Sequence, residues 1–290
     1  MKKKANNPIH NIGRGLPVWA QSAVRIPFLF FFAWETAGSW MFSRQPRQTS
    51  PCRTISIVIP TRNEEAYIER CIRSVGRNPY VREIIVVDAA SEDLTQLLAR
   101  RAGAWVLSHD LPIESGGGRG GQIKAGIQAA SGDVIAVLHA DTLLPGSEIN
   151  RMMDVLNRRP DIIGGAVGCR FEDPEHRYRI IELANDLRAA FFKISFGDQV
   201  QFFRRVPIVS HQLFPGIPIM EDVEFSIRLH RLGHVTYLFG NTIASTRRWK
   251  RIGYLNAVWV IKNVFIYLIR RMIQTPDTAE IYQRYYSPFK

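Results

Sequence analysis

Ser131-Gly132-Asp133-Val134-Ile135-Ala136-Val137-Leu138-His139-Ala140-Asp141-Thr142 is an apolar run bounded by Ser-Gly on one side and by Leu144-Pro145-Gly146 beyond the other. It is too short to span a membrane, and its Val, Ile, Leu and Ala content suits a strand buried on both faces of a parallel sheet. In open α/β sheets ligands bind outside the carboxyl ends of the strands, which would place His139 and Asp141 at a ligand crevice. An Asp after a strand is also ordinary turn chemistry, so this stretch alone leaves both roles open for Asp141.

The flanking sequence repeats the same grammar. Ile55-Ser56-Ile57-Val58-Ile59 reads as a strand, and Pro60-Thr61-Arg62-Asn63-Glu64-Glu65 as the turn into a helix that runs to about Val75 on Ala66, Ile68, Cys71, Ile72 and Val75. Glu83 to Asp88 is the next strand, Ser91 can cap a helix through Leu98, and Trp105-Val106-Leu107 is a short third strand. A helix from about Gly121 to Ala130 leads back into the opening stretch. Strand and helix alternating with short links predict a parallel, helix-covered sheet. Gly116-Gly117-Gly118-Arg119-Gly120-Gly121 matches G-x-G-x-x-G in letters, with Asp141 at about the ribose-acid distance. That fingerprint must follow its strand directly, however, and Ser108 to Ser115 intervene here; Lys124 also lacks a P-loop context.

The chain has 290 residues, 46% hydrophobic, and a formal charge of +12. The charge is uneven: eight cations face one acid up to Arg53, and seven cations face none between Arg247 and Arg271, whereas Thr54 to Thr246 is close to neutral. A neutral body with basic ends argues against a nucleic-acid-binding domain, whose excess charge would lie on its folded face. It divides the chain into a basic, apolar extension (1–53), a globular body (54–253, with halves 54–145 and 146–253) and a terminal helix and tail (254–290).

The apolar segments at the two ends, Ile26 to Trp34 with Trp40-Met41-Phe42, and Tyr254 to Ile273 with Asn263 and Arg270 on a narrow polar strip, suit an anionic membrane surface. Neither is expected to span it, and no cleavable signal peptide is read at the start. Packing onto the body is the alternative for the second segment. Cys52, Cys71 and Cys169 have neither metal-ligand nor disulfide spacing, which points to a reducing compartment. The expected location is cytoplasmic, peripheral on a membrane.

Further on, Glu221-Asp222 follows the Pro- and Gly-containing loop Phe214 to Met220 and opens an amphipathic helix on Val223, Phe225, Ile227 and Leu229. Acids there also suit the helix dipole.

Taken together, Ile57 to Glu65, Val86-Val87-Asp88, Gly120 to Gly126, Gly132-Asp133 and His139-Ala140-Asp141 resemble, in order and spacing, the donor-binding half of the family 2 glycosyltransferases with the GT-A fold. Gly197-Asp198-Gln199, Met220 to Phe225 and Arg247-Arg248-Trp249 resemble that family's acceptor-side motifs. The resemblance covers about Thr54 to Gly253. It implies an α/β GT-A fold, a Rossmann-like mostly parallel sheet flanked by helices, here with apolar basic terminal segments. It implies that Pro60, Arg62, Glu64 and Asp88 line a nucleoside pocket, that Arg119, Gln122 and Lys124 lie near a diphosphate, and that Ala140 and Asp141 meet the donor.

The family generally has Asp-x-Asp where this chain has His139-Ala140-Asp141, as does a subset of the family that it resembles. Asp141 remains as the carboxylate ligand of a divalent cation, with His139 as its neighbour or as a hydrogen-bonding group only; imidazole makes manganese plausible beside magnesium. The resemblance further implies acceptor contacts from Glu221, Asp198, Gln199, Arg248 and Trp249, and Asp222 as general base of an inverting transfer from a nucleotide sugar, UDP-sugar favoured, to an acceptor hydroxyl on a lipid-linked molecule or a glycan. Glu224, two residues on, would point to another side of the helix. A sugar-phosphate nucleotidyltransferase and a non-catalytic sugar-nucleotide or membrane-binding protein are the alternatives.

Overall fold

Apolar residues alternating along Ile55–Thr61 (β1) feed two cores, one on each face of the sheet. Successive side chains of a strand point to opposite faces. Ile55, Ile57 and Ile59 therefore join Cys71, Ile72 and Val75 of Ile68–Val75 (α1) and Met152 and Met153 of Gly146–Arg158 (α4), while Val58 meets Ile123 and Ile127 of Gly118–Ala129 (α3). The structure is a computed structural model that describes residues 50–253, 255–273 and 277–286; the N-terminal apolar segment read above lies outside them.

Val81–Asp88 (β2), Trp105–Ser108 (β3) and Val134–Val137 (β4) complete a parallel half with β1, in the order β3-β2-β1-β4. The opening stretch of the sequence is thus β4, whose apolar side chains are all buried, followed by the turn that carries His139 and Asp141. Gly126 fixes how closely α3 approaches: a Cβ there would stand 2.4 Å from Val58 Cγ1. The second half is mixed. Val200–Arg204 (β7) runs antiparallel to β4, Ile162–Phe171 (β6) antiparallel to β7, His234–Ala244 (β8) parallel to β6, and Thr142–Leu143 (β5) antiparallel to β8. His176–Phe192 (α5), Arg205–Ser210 (α6) and Glu221–Leu232 (α7) cover or edge this half.

Two local expectations are corrected. Thr95–Arg101 (α2) begins after Leu94, and Ser91 does not cap it. Instead, the Ser91 hydroxyl and N–H both donate to Asp88, at 2.5 and 2.9 Å, because a carboxylate buried at a strand end must find donors nearby. The second correction concerns the terminal helix, Leu255–Ile273 (α9), which follows Arg247–Ile252 (α8). Asn263 and Arg270, read as one polar strip, are split: Asn263 is buried, as are Val264, Tyr267 and Leu268, which pack with Met220, Val223 and Ile227 around α7 and Ile281 of Thr278–Tyr286 (α10), whereas Arg270 is part-exposed and pairs with Glu280 (2.9 Å). Glu224 on α7 accepts hydrogen bonds from Tyr267 (2.9 Å) and Arg271 (2.6 Å) of α9 and from Arg228 (2.8 Å), so a buried carboxylate ties the helix to the body. Ile261, Ile269, Met272 and Ile273 remain exposed on the other side. Among the described residues no helix is long and apolar enough to cross a membrane. The three cysteines are buried free thiols.

Candidate active site

The carboxyl ends of β1, β2 and β4 open on one edge of the parallel half. Asp88, at the end of β2, is fully buried, and its two oxygens accept from Thr61 (3.1 Å), Gln96 (2.8 Å) and both donors of Ser91. A carboxylate offers about four lone-pair positions, so Asp88 is satisfied within the protein. Gln122 behaves similarly: its amide donates to the carbonyls of Thr61 (2.8 Å) and Val87 (2.7 Å), clamping β1 to β2 rather than facing a phosphate. Pro60 and Ala140 are buried in the backbone around this edge, Arg62 stands exposed in the turn after β1, and Lys124 lies beside the Gly216 loop.

Arg247, at the start of α8, is the residue that the motif analysis left without a role. Its guanidinium lies 4.5 Å from the Tyr67 ring centroid and donates to Glu64 (2.6 Å) and Asp141 (3.1 Å) at once. Burial pushes the Glu64 carboxyl up, against the pull of Arg247, and its second oxygen is buried without a partner. Arg247 and Glu64 are 183 positions apart, and only their shared sign complementarity could have hinted at the pair.

His139 sits where the two halves meet. A Cβ on Gly197 would lie 2.5 Å from its Cε1, so only glycine admits the ring this close, and the same glycine lies against Arg119. Burial first, then the charges of Arg119, Arg248 and Arg247, hold the imidazole pKa down to about 3, so His139 is neutral. Arg119 continues the line: it donates to Glu221 through Nε, and its NH2 group lies 4.0 Å from Asp222 Oδ2. Glu221 has 1% of its side chain exposed and Asp222 12%, so Asp222 is the acid of this pair open to a ligand. Asp222 Oδ1 accepts the Val223 N–H (2.8 Å) at the first turn of α7. Burial and the neighbouring charge of Asp222 push the Glu221 carboxyl up, against Arg119, and its Oε2 has no partner.

On the far side of Gly197, Asp198 accepts from Asn185 (3.2 Å) through Oδ2, while its buried Oδ1 has no partner. Gln199 is spent on structure, accepting from Arg188 and the Phe196 N–H and donating to Tyr237. Trp249 packs edge-on against Phe171, with ring centroids 5.8 Å apart, whereas Arg248 is close enough to His139 for its charge to be felt there. Of the residues predicted from sequence, His139, Arg119, Glu221, Asp222 and Asp198 thus form one cluster, and Glu64 and Asp141 a second one tied by Arg247. Asp88, Gln122, Gln199 and Trp249 engage their own framework.

Among the described residues no three His, Cys, Asp or Glu side chains converge on a metal site. Asp141, with the neutral His139 two residues away, is a partial donor set. That suits a hard cation held by one carboxylate plus substrate phosphates, and Arg247 beside Asp141 shows that the carboxylate draws a positive partner.

A mixed sheet with a parallel nucleotide-binding-like half and acids across its edge is the architecture of the GT-A glycosyltransferases. A crystal structure of glucosyl-3-phosphoglycerate synthase from Mycobacterium tuberculosis, in complex with Mn2+, UDP-glucose and glycerol 3-phosphate, superposes with a TM-score of 0.53 at 25% identity over 78% of this chain and 82% of that one. The profile of glycosyl transferase family 2 matches residues 56–214, and the chain belongs to that family. Over 168 residues, it is 29% identical to undecaprenyl-phosphate 4-deoxy-4-formamido-L-arabinose transferase of Pseudomonas fluorescens (strain Pf0-1), covering 54% of this chain and 49% of that protein. It is 38% identical over 100 residues to glucosyl-3-phosphoglycerate synthase of Mycobacterium tuberculosis, covering 32% of this chain and 30% of that one. The chain thus spans about half or less of these curated relatives.

Proposed function

We propose that this protein transfers a sugar from a nucleoside-diphosphate donor, a UDP-sugar, to an acceptor hydroxyl in one inverting displacement. The observation that carries it is Arg119: one side chain pairs with Glu221, lies 4.0 Å from Asp222 and stands with His139 against Gly197, so a base and a diphosphate-binding edge face each other across one guanidinium. Asp222 takes the proton of the attacking hydroxyl, since an alcohol is a poor nucleophile until that proton leaves. Glu221, fixed by Arg119, orients the acceptor. Arg119, Arg247 and Arg248 surround the edge where negative charge grows as the sugar bond breaks, and fixed cations aimed at developing charge lower that barrier. Asp141, with His139 beside it, would hold a divalent ion, Mn2+ or Mg2+, whose chemistry is to neutralise the departing diphosphate. Crystals of the mycobacterial relative carry Mn2+ with UDP-glucose or Mg2+ with UDP, which supports this choice of cofactor and nucleotide.

Pro60, Arg62 and Glu64 line the nucleoside side in this reading, with Asp88 and Gln122 holding the strand ends in place behind them. Lys124 and Ala140 flank the diphosphate, and Asp198 and Arg248 border the acceptor. We also place the protein on the cytoplasmic face of a membrane: the exposed Ile261, Ile269, Met272 and Ile273 lie on a segment rich in cations and free of acids. The catalytic reading is tested by incubation with a panel of α-linked UDP-sugars and acceptors. Release of UDP with a β-linked product is expected. An α-linked product, or pyrophosphate exchange without UDP release, overturns it.

A further inference from the structure

A surface helix ordinarily turns its apolar side to the core, and α5 does the reverse. Its polar side chains are fixed to the body. Glu182 accepts the Phe171 N–H (2.6 Å) and Arg179 (2.9 Å), and Asp186 accepts Arg170 (2.9 Å) and the Tyr237 hydroxyl (2.5 Å); both acids are buried. Arg188 donates to the Ile194 carbonyl (2.6 Å), and Asn185 donates to Asp198 of the proposed acceptor edge (3.2 Å). Rotating α5 to bury its apolar side would strip two desolvated carboxylates of their partners, so the ion pairs hold the register. They hold Ile180, Leu183, Leu187 and Phe191 outward, 70, 59, 47 and 76% exposed, at spacings that keep all four on one side of the helix.

Fourteen large hydrophobic side chains are exposed among the described residues, and eight of them lie on α5 and α9. The two helices share one core cluster, which holds Phe192 and Ile194 at the end of α5 and Val264, Tyr267 and Leu268 of α9. Neither helix exposes an acid. Those of α5 are the buried Glu182 and Asp186, Glu175 just before it pairs with Arg177, and Lys193 follows its last turn. Helix α9 contains no acid and exposes Lys262 beside Ile261; beyond it, Asp277 caps α10 and Glu280 pairs with Arg270.

We infer that α5 is a membrane-docking helix, its side from Ile180 to Phe191 seated in the headgroup region of an anionic bilayer together with the exposed side of α9. This deepens the membrane placement proposed above and rests on it: the globular body makes the contact, on the helix that borders Asp198, and the terminal helix does not make it alone. An apolar ridge bordered by cations and clear of exposed acids suits an anionic lipid surface, which needs no matching groove. A second copy of the chain is the weaker occupant, because a stable dimer engages roughly 20–30 residues a side and the ridge offers four large ones.

The full chain is floated with vesicles of phosphatidylcholine alone and of phosphatidylcholine and phosphatidylglycerol in equal parts. Native protein is expected to float with the anionic vesicles and less with the zwitterionic ones. The double variant Leu187→Gln, Phe191→Gln should bind at least about tenfold more weakly with its melting temperature kept. The contact is read directly from a nitroxide attached through Leu187→Cys, since the native cysteines are buried. With anionic vesicles, oxygen should relax the label faster and a water-soluble nickel chelate more slowly. Full binding by the α5 variant, equal flotation on phosphatidylcholine alone, or a label that vesicles leave unchanged overturns the inference. So does a label already shielded without vesicles, which would assign the ridge to another part of the chain or, where light scattering shows a dimer, to a second copy. If the α5 variant floats fully and Ile269→Gln, Met272→Gln does not, the membrane placement stands on α9 without α5; failure of native protein to float removes the placement itself.

Discussion

The proposed donor and acceptor edges of this site are built from different materials. The first is the end of a parallel sheet, where consecutive strand-turn-helix units deliver Thr61, Asp88, His139 and Asp141 to one line and a distant arginine bridges Glu64 and Asp141. The second is the meeting of a mixed half-sheet with α5 and α7, where Arg119 pairs with Glu221 and lies 4.0 Å from Asp222. Each edge keeps buried carboxylate oxygens without a partner, Glu64 Oε2 on the first and Asp198 Oδ1 and Glu221 Oε2 on the second. Both edges are thus acids gathered on a guanidinium, one assembled by local strand-turn-helix units and the other by elements far apart in the chain.

The largest expected effect breaks the acceptor edge alone. Asp222→Asn should lower turnover by roughly a hundred- to ten-thousand-fold, the usual contribution of a general base, while UDP-sugar binding measured by calorimetry stays near native. Near-native turnover in this variant would remove Asp222 from the chemistry. On the donor edge, Asp141→Asn should cost on the order of a hundred- to a thousand-fold and abolish the response of activity to added Mn2+, with the circular dichroism spectrum unchanged. A variant that still responds to the metal would show that the ion is held elsewhere.

A subtler variant tests the ion pair on the first edge. Arg247→Met frees Asp141 and Glu64 from their shared guanidinium, so Mn2+ titrated into the nucleotide-free protein should bind several-fold more tightly than to native protein, as read by paramagnetic resonance. Equal affinity would mean that Arg247 does not compete with the ion.

The smallest effect is in stability. Burial raises the carboxyls of Glu221, Asp198 and Glu64 above their usual range. A raised acid keeps its proton to higher pH in the folded than in the unfolded chain, so the folded state binds more protons within that window and stability falls as pH rises through it. Glu221 therefore contributes a fall in stability from roughly pH 5 toward pH 7, set against the rise that the buried neutral His139 contributes over the same range, so the melting temperature of native protein minus that of Glu221→Gln should fall across this window. A difference that does not change with pH would contradict uncompensated burial of Glu221.

Much of the donor half was legible because it is local. Apolar runs at Ile55, Glu83 and Ser131 separated by helical patterns fix a parallel sheet, and a crevice outside the carboxyl ends of its strands follows from topology. The same locality misled at Ser91 and Gln122. Both look like a cap and a phosphate ligand in one dimension, and both turn inward because a strand end with buried polar groups must be satisfied by whatever stands nearest.

Sequence by itself determined the parallel half, the helix opening at Glu221-Asp222 and the family motifs that mark His139, Asp141 and Asp222, because strand periodicity, turn residues and helix termini are set by neighbours along the chain. Tertiary structure alone decided that Arg247 closes over Glu64 and Asp141, that Tyr267 and Arg271 of α9 meet on Glu224, and that Asp198 and Glu221 each keep an unpartnered oxygen. Those outcomes depend on which charges find partners after the chain has folded. Pairing between residues far apart in sequence follows from where the sheet and helices bring them, and no local pattern records it.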